Sequence, residues 1–165
     1  MDRATMQYMK EKDIWLSPQV SVYTYIPAGY TPAQADKHRA AFAGIDQMFK
    51  TAKEIGFENI VFGSDIISSP KDIENLLGEF TNRAKWFSNI EILRQATSKG
   101  GELLAMSVAK NPYPGKLGVI EKGAHADLLL LDGNPLEDLN VIVDFEKNMD
   151  LIMKAGVIYK NALKQ

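Results

Sequence analysis

The feature that most constrains the fold is a complete helix written between Thr31 and Gly56. Thr31-Pro32 starts it, with Thr as N-cap and Pro at the first helical position. Phe42, Ile45, Phe49 and Ala52 recur at three- and four-residue spacing, so one face packs on a core. Gly56 then ends the helix. Strand-like segments flank it. Residues 14 to 26 are rich in β-branched and aromatic side chains. Pro18 cannot donate to a ladder, so the regular strand there should be short and end near Ser17. On the other side, Asn59-Ile60-Val61-Phe62-Gly63-Ser64-Asp65 holds three consecutive apolar residues, as a parallel strand buried on both faces would. Strand, helix and strand in this order make a βαβ unit with parallel strands and a right-handed crossover.

The second strand runs into Gly63-Ser64, where the backbone can approach another group closely, and stops at Asp65. A carboxylate at the carboxyl end of a buried parallel strand is where α/β barrels and open α/β sheets place chemistry. Asp65 could equally cap the following turn with its side chain. Tyr23, Tyr25 and Tyr30 fall on the loop after the first strand, where they either line a substrate pocket or pack the loop. His38 sits in the helix and reads as a surface or core residue rather than a metal ligand.

The remainder is organised around these elements. Residues 1 to 12 are polar and helix-prone, with a weak stripe of Met1, Met6 and Met9, and read as the tail end of a helix. After Asp65, Ile66 to Pro70 form an elaborated loop, and a short helix is expected from about Lys71 to Phe80. Ser88 to Glu91 matches the capping-box pattern and opens a helix with Leu93 and Ala96 facing inward, ending around Thr97 to Gly101. Gly100-Gly101 should break or bend it, leaving Leu103, Leu104 and Met106 to a second short helix. Asn111-Pro112-Tyr113-Pro114-Gly115 is turn-rich. Beyond it, short strands are expected at Gly118 to Glu121, Ala126 to Leu131, Val141 to Phe145, Leu151 to Lys154 and Val157 to Lys160, the last two joined by a tight hairpin at Ala155-Gly156. The chain thus reads as α/β over residues 1–109 and antiparallel β over residues 110–165.

Several functions find no support. A net charge of -2 gives no electrostatic argument for nucleic acid or an anionic membrane surface. No apolar run approaches the roughly 18 residues that span a bilayer. With no Cys there is no disulfide framework, thiolate metal site or cysteine nucleophile. Glycine-rich nucleotide-binding loops are missing. The acidic residues Glu137, Asp138, Asp144, Glu146 and Asp150 read as a solvated face, without the ligand spacing of a calcium loop.

Three motifs in order carry a resemblance. They are Glu91-Ile92-Leu93-Arg94-Gln95-Ala96-Thr97, then Leu117-Gly118-Val119-Ile120-Glu121-Lys122-Gly123, then Ala126-Asp127-Leu128 through Asp132-Gly133-Asn134-Pro135-Leu136. The closing Ile152 to Lys160 fits as well. This series resembles the carboxyl-terminal end of the metal-dependent amidohydrolase superfamily, nearest to its imidazolonepropionase and Xaa-Pro dipeptidase branch. Gly63-Ser64-Asp65 is similar to the family's Gly-Thr-Asp at the end of the eighth barrel strand, with Ser64 keeping the hydroxyl.

The resemblance implies a fold: the last two βα units of a TIM-like (β/α)8 barrel, followed by antiparallel strands of a small β-sandwich domain. It also implies a role for Asp65, as a metal ligand and as the catalytic carboxylate that moves a proton between a metal-bound water and the leaving amine. The other ligands are missing. The family uses a His-x-His on the first strand, often a bridging Lys on the fourth, and a His on each of the fifth and sixth. Only His38 and His125 are present, and neither matches. A catalytic zinc typically takes three protein ligands, and a complete barrel takes about 250 residues. The expectation is therefore a carboxyl-terminal fragment of an amidohydrolase that cleaves the C–N bond of a small amide, dipeptide or cyclic amide. A divalent metal, zinc foremost, would serve the complete enzyme, and this chain alone would bind none and be inactive. Tyr23 and Tyr25 are the candidate substrate contacts. Neither nucleic acid nor membrane is an expected partner. The competing expectation is an interaction module that self-associates, or docks on another chain, through exposed barrel edges.

Overall fold

The structure is a computed structural model that describes residues 1–65, 76–113 and 115–163. It divides into two compact units, Met1–Trp86 and Phe87–Gln165.

The first unit is built on the long helix. Helix α1 spans Arg3–Glu11 and helix α2 Pro32–Ile55. Both ends of α2 are as the sequence signals: Thr31 and Gln34 form a reciprocal capping box, and Gly56 closes the helix in the left-handed conformation at φ 63°. Its buried residues include Met48, Phe49 and Ala52, with Phe42 and Ile45 half-buried. Asp2 caps α1 by accepting from the Thr5 N–H at 2.7 Å, a bond that holds the Asp2 carboxyl below its ordinary range. Lys10 reaches across to the carboxyl end of α2 and donates to the Ile55 carbonyl at 2.6 Å, where a cation suits the helix dipole.

The flanking segments run parallel, as a crossover helix requires. Their ladder is sparse, with one bridge at Leu16–Ile60 and another at Gln19–Gly63. The Leu16 N–H nevertheless donates to the Asn59 carbonyl at 2.8 Å, and the Val61 N–H to the Leu16 carbonyl at 3.0 Å. Pro18, buried between the two bridges, has no N–H to give, which explains the gap. Gly63 allows the close approach its type suggests: a side chain there would press on Ser17 Oγ, 3.2 Å from the would-be Cβ. The loop expected at Ile66 to Pro70 and the start of the helix expected from Lys71 lie outside the described residues. The described helix in this region, α3, spans Gly78–Arg83.

In the second unit, helix α4 spans Asn89–Ala96, and the Ser88 N–H donates to Glu91 at 2.8 Å. Its buried positions are Ile92 and Gln95, one step round from the expected Leu93 and Ala96, which are half-buried. Helix α5, Ser98–Ala105, contains Gly100 and Gly101 instead of breaking at them. The break falls at Thr97 (φ -124°, ψ -93°), at the near edge of the end expected at Thr97 to Gly101. Gly101 is there for space: a Cβ would collide with the Leu117 carbonyl. Gly118 answers the same crowding from the other side, since its Cβ would strike the Thr97 carbonyl.

Three strands follow: β1 Leu128–Leu131, β2 Met149–Lys154 and β3 Val157–Asn161, antiparallel in the order β1-β2-β3. Ala155 and Gly156 turn β2 into β3 with φ of 50° and 78°, a type I′ hairpin. Asp127, from the Ala-Asp-Leu motif, accepts from Ala155 N–H at 2.7 Å and so ties the entry of β1 to that turn. Two expected strands are absent. Gly118 to Glu121 is a bent loop with a single neighbouring bridge, Lys116–Ala124. Val141 to Phe145 falls in two helical turns, α6 Asn140–Val143 and α7 Phe145–Asn148. Asp138 sets them off by accepting from the Asn140 N–H at 2.9 Å, a local side-chain bond that outcompetes strand pairing.

Candidate active site

The Gln19–Gly63 bridge fixes which residues share an end of the parallel pair. Asp65 lies two residues beyond Gly63, and the turn Ser21–Tyr23 begins two residues beyond Gln19, so both follow the carboxyl ends of parallel segments. Asp65 is exposed, and its backbone takes the left-handed conformation at φ 52°. Aspartate visits this region more readily than most residues. Among the described residues, no hydrogen bond or ion pair engages its carboxylate.

The loop at the end of the first segment is well anchored. His38 Nε2 bonds the Val22 carbonyl at 2.9 Å, and its ring packs on Tyr23 at 5.0 Å and on Tyr30 at 5.6 Å between centroids. His38 is therefore committed to holding this loop. Tyr23 is half-buried and Tyr25 exposed. The structure brings them together in one concavity of about 340 Å³, shared with Thr24, Ile26, Arg39 and Phe42.

No group of three His, Cys, Asp or Glu side chains comes together among the described residues. His125 belongs to the second unit, where its ring meets the Tyr113 ring edge-on at 5.5 Å.

The sequence reading missed a fully buried ion pair. Glu79 and Arg83, one turn apart on α3, are both 0% exposed, with Arg83 Nε 2.7 Å from Glu79 Oε1. The Glu79 carboxylate accepts from Val20 N–H (3.1 Å) and Ser21 N–H (2.7 Å). Arg83 donates to the Val61 carbonyl at 3.2 Å and to the Pro18 carbonyl. Its guanidinium also lies 4.8 Å from the Phe62 ring centroid. Burial pulls the Arg83 guanidinium below its ordinary pKa, and the charge of Glu79 opposes that shift. The pair thus satisfies the backbone groups that the interrupted ladder leaves open. It does so just before both the tyrosine loop and Gly63-Ser64-Asp65. An acidic and a basic residue four apart read as an ordinary surface pair on a helix.

No family model matches the sequence, and no curated protein matches it either. Solved structures do. An amidohydrolase superposes on 99% of this chain with a TM-score of 0.83 and 26% identity, and the match covers 38% of the amidohydrolase chain. The fold is thus that of part of an amidohydrolase chain, and this chain spans well under half the length of those it matches. A prolidase solved with N-methylphosphonate-L-proline is 29% identical over 98% of this chain and 38% of its own, with a TM-score of 0.81. The ochratoxinase of A. niger, at 24% identity and a TM-score of 0.77 over 97% of this chain and 35% of its own, shares the fold.

Proposed function

We propose that this chain is the carboxyl-terminal part of a metal-dependent amidohydrolase acting on the C–N bond of a small amide, dipeptide or cyclic amide. The match of nearly the whole chain to a prolidase and an amidohydrolase carries this reading. The parallel pair would be the last two strand units of a barrel, and the β1-β2-β3 sheet part of a small β-sandwich. Asp65 would contribute one metal ligand and the catalytic carboxylate, with the other ligands supplied from outside the described residues. Tyr23 and Tyr25 would contact substrate.

The coding DNA upstream of Met1 tests the reading. An open frame encoding His-x-His, then a Lys and two further separated His, supports it. A stop codon in frame directly before Met1 removes it as a statement about one polypeptide. The purified 165-residue chain, assayed with dipeptides and added zinc, is expected to show no hydrolysis.

One observation favours a second reading. Leu129, Leu130, Val157, Ile158 and Tyr159 of the small sheet are exposed, and β3 is an edge strand. Such an edge invites another chain. Sedimentation of the purified chain across a concentration series separates the readings. A monomer at all concentrations counts against an interaction module.

A further inference from the structure

We propose that the concavity of Tyr23, Tyr25, Ile26, Phe42 and Arg39 is a binding site for a small apolar carboxylic acid, with Arg39 as the anion contact. As a substrate subsite, this rests on the hydrolase reading above. As a binding site, it stands on the following observations.

The concavity, at about 340 Å³, falls in the range of small-molecule sites. Its lining is mainly aromatic and aliphatic, with one cation. That composition suits a ligand with an apolar body and one negative group. The Arg39 side chain is 60% exposed, and its NH2 group holds Asp36 at 2.7 Å on the same helix. A pair this exposed is weak, and the rest of the guanidinium fork stays open to accept a carboxylate in two parallel bonds. The chain's net charge of -2 offers no general attraction for anions, so binding of an acid here would report the local guanidinium.

The site is also preformed. Helix α2 fixes Arg39 and Phe42. His38 pins Val22 and packs on Tyr23, Thr24 Oγ1 donates to the Ser21 carbonyl at 2.7 Å, and Glu79 holds the Val20 and Ser21 amides. Binding therefore has little loop ordering to offset.

The test is a titration of the ¹⁵N-labelled full chain with N-acetyl-L-phenylalanine and, separately, with N-acetyl-L-phenylalaninamide. Saturable shifts at the amides of Tyr25, Ile26 and Arg39 are expected with the acid. The amide should bind about tenfold more weakly, or worse, for want of the charged bonds. Arg39→Gln, a change at an exposed position, should reduce the acid to the affinity of the amide, and Arg39→Lys should restore part of the preference. Equal affinity for acid and amide, absence of saturable shifts, or a preference that survives Arg39→Gln would overturn the proposal. None of these readouts requires hydrolysis. Failure of the acid to bind leaves the upstream-sequence test of the hydrolase reading untouched. Failure of that test leaves an observed binding preference standing, without its role as a substrate subsite.

Discussion

The two units solve the problem of backbone pairing in opposite ways. In the second, the antiparallel strands bond directly to one another through a two-residue turn, and a single side chain, Asp127, secures the corner. In the first, the parallel segments meet at isolated bridges, and a helix distant in sequence provides the missing bonds through a buried carboxylate and guanidinium. Buried charges are usually poor stabilisers compared with apolar packing. Here they do something packing cannot, which is to satisfy donors on one segment and acceptors on both. The unit with the candidate site therefore has this buried pair bonded to the backbone just before the tyrosine loop.

The sharpest way to break this contrast is Glu79→Ala. It strands a buried guanidinium and leaves two amides without acceptors, and should cost about 3–5 kcal/mol. Both tryptophans, Trp15 and Trp86, lie in the first unit, so fluorescence during urea unfolding reads it selectively. A cost below about 1 kcal/mol would mean the pair is dispensable. Replacing Glu79 and Arg83 together by Met should cost less than the sum of the two single changes. In the second unit, Gly118→Ala should cost about 1–3 kcal/mol through backbone collision with Thr97 and a strained φ of 71°. Hydrogen exchange at the β2 amides would measure it. Thr31→Ala, which removes a local cap from α2, should cost about 1 kcal/mol by urea unfolding.

The smallest effect concerns acid. Asp46 is bonded by Lys50 at 2.6 Å, Lys85 at 2.8 Å and the Trp86 indole at 3.0 Å, which hold its carboxyl well below the usual carboxylate range. A lowered folded-state pKa gives stability that is fully present above the unfolded value, near about 3.9, and is lost as pH falls through the folded value. Urea midpoints of the wild type should therefore decline between about pH 4 and pH 2 more steeply than those of Asp46→Asn.

What could be read from the sequence follows the range of the interactions. Helix α2 was legible because Thr31, Pro32, the apolar stripe and Gly56 act within a few residues of one another. The Ala155-Gly156 hairpin was legible for the same reason. Val141 to Phe145 misled because β-branched residues suit strands in general, while local bonds accepted by Asp138 favour the helical turn. Gly100 and Gly101 misled because glycine as a helix breaker and glycine as a spacer look alike until Leu117 is in view. Asp65 and the two tyrosines could be placed at the carboxyl end of a parallel pair. Arg39 could not be joined to them, because only the folding of α2 against the loop puts it in the same concavity. The Glu79–Arg83 pair was illegible, since its partners at Val20 and Val61 lie 59 and 22 residues away.

That separation has a consequence for the order of events during synthesis. The amide of Ser21 leaves the ribosome long before its acceptor, which is 58 residues downstream. Until Arg83 has also emerged, the first segment can find its helix but cannot complete its carboxyl end. The tyrosine loop must then remain pliable while α2, whose bonds are local, is already forming, because contacts of long sequence separation close late. A nascent chain from which residue 79 has yet to emerge would thus present a formed helix and an unfinished rim, open to chaperones and proteases at the tyrosine loop.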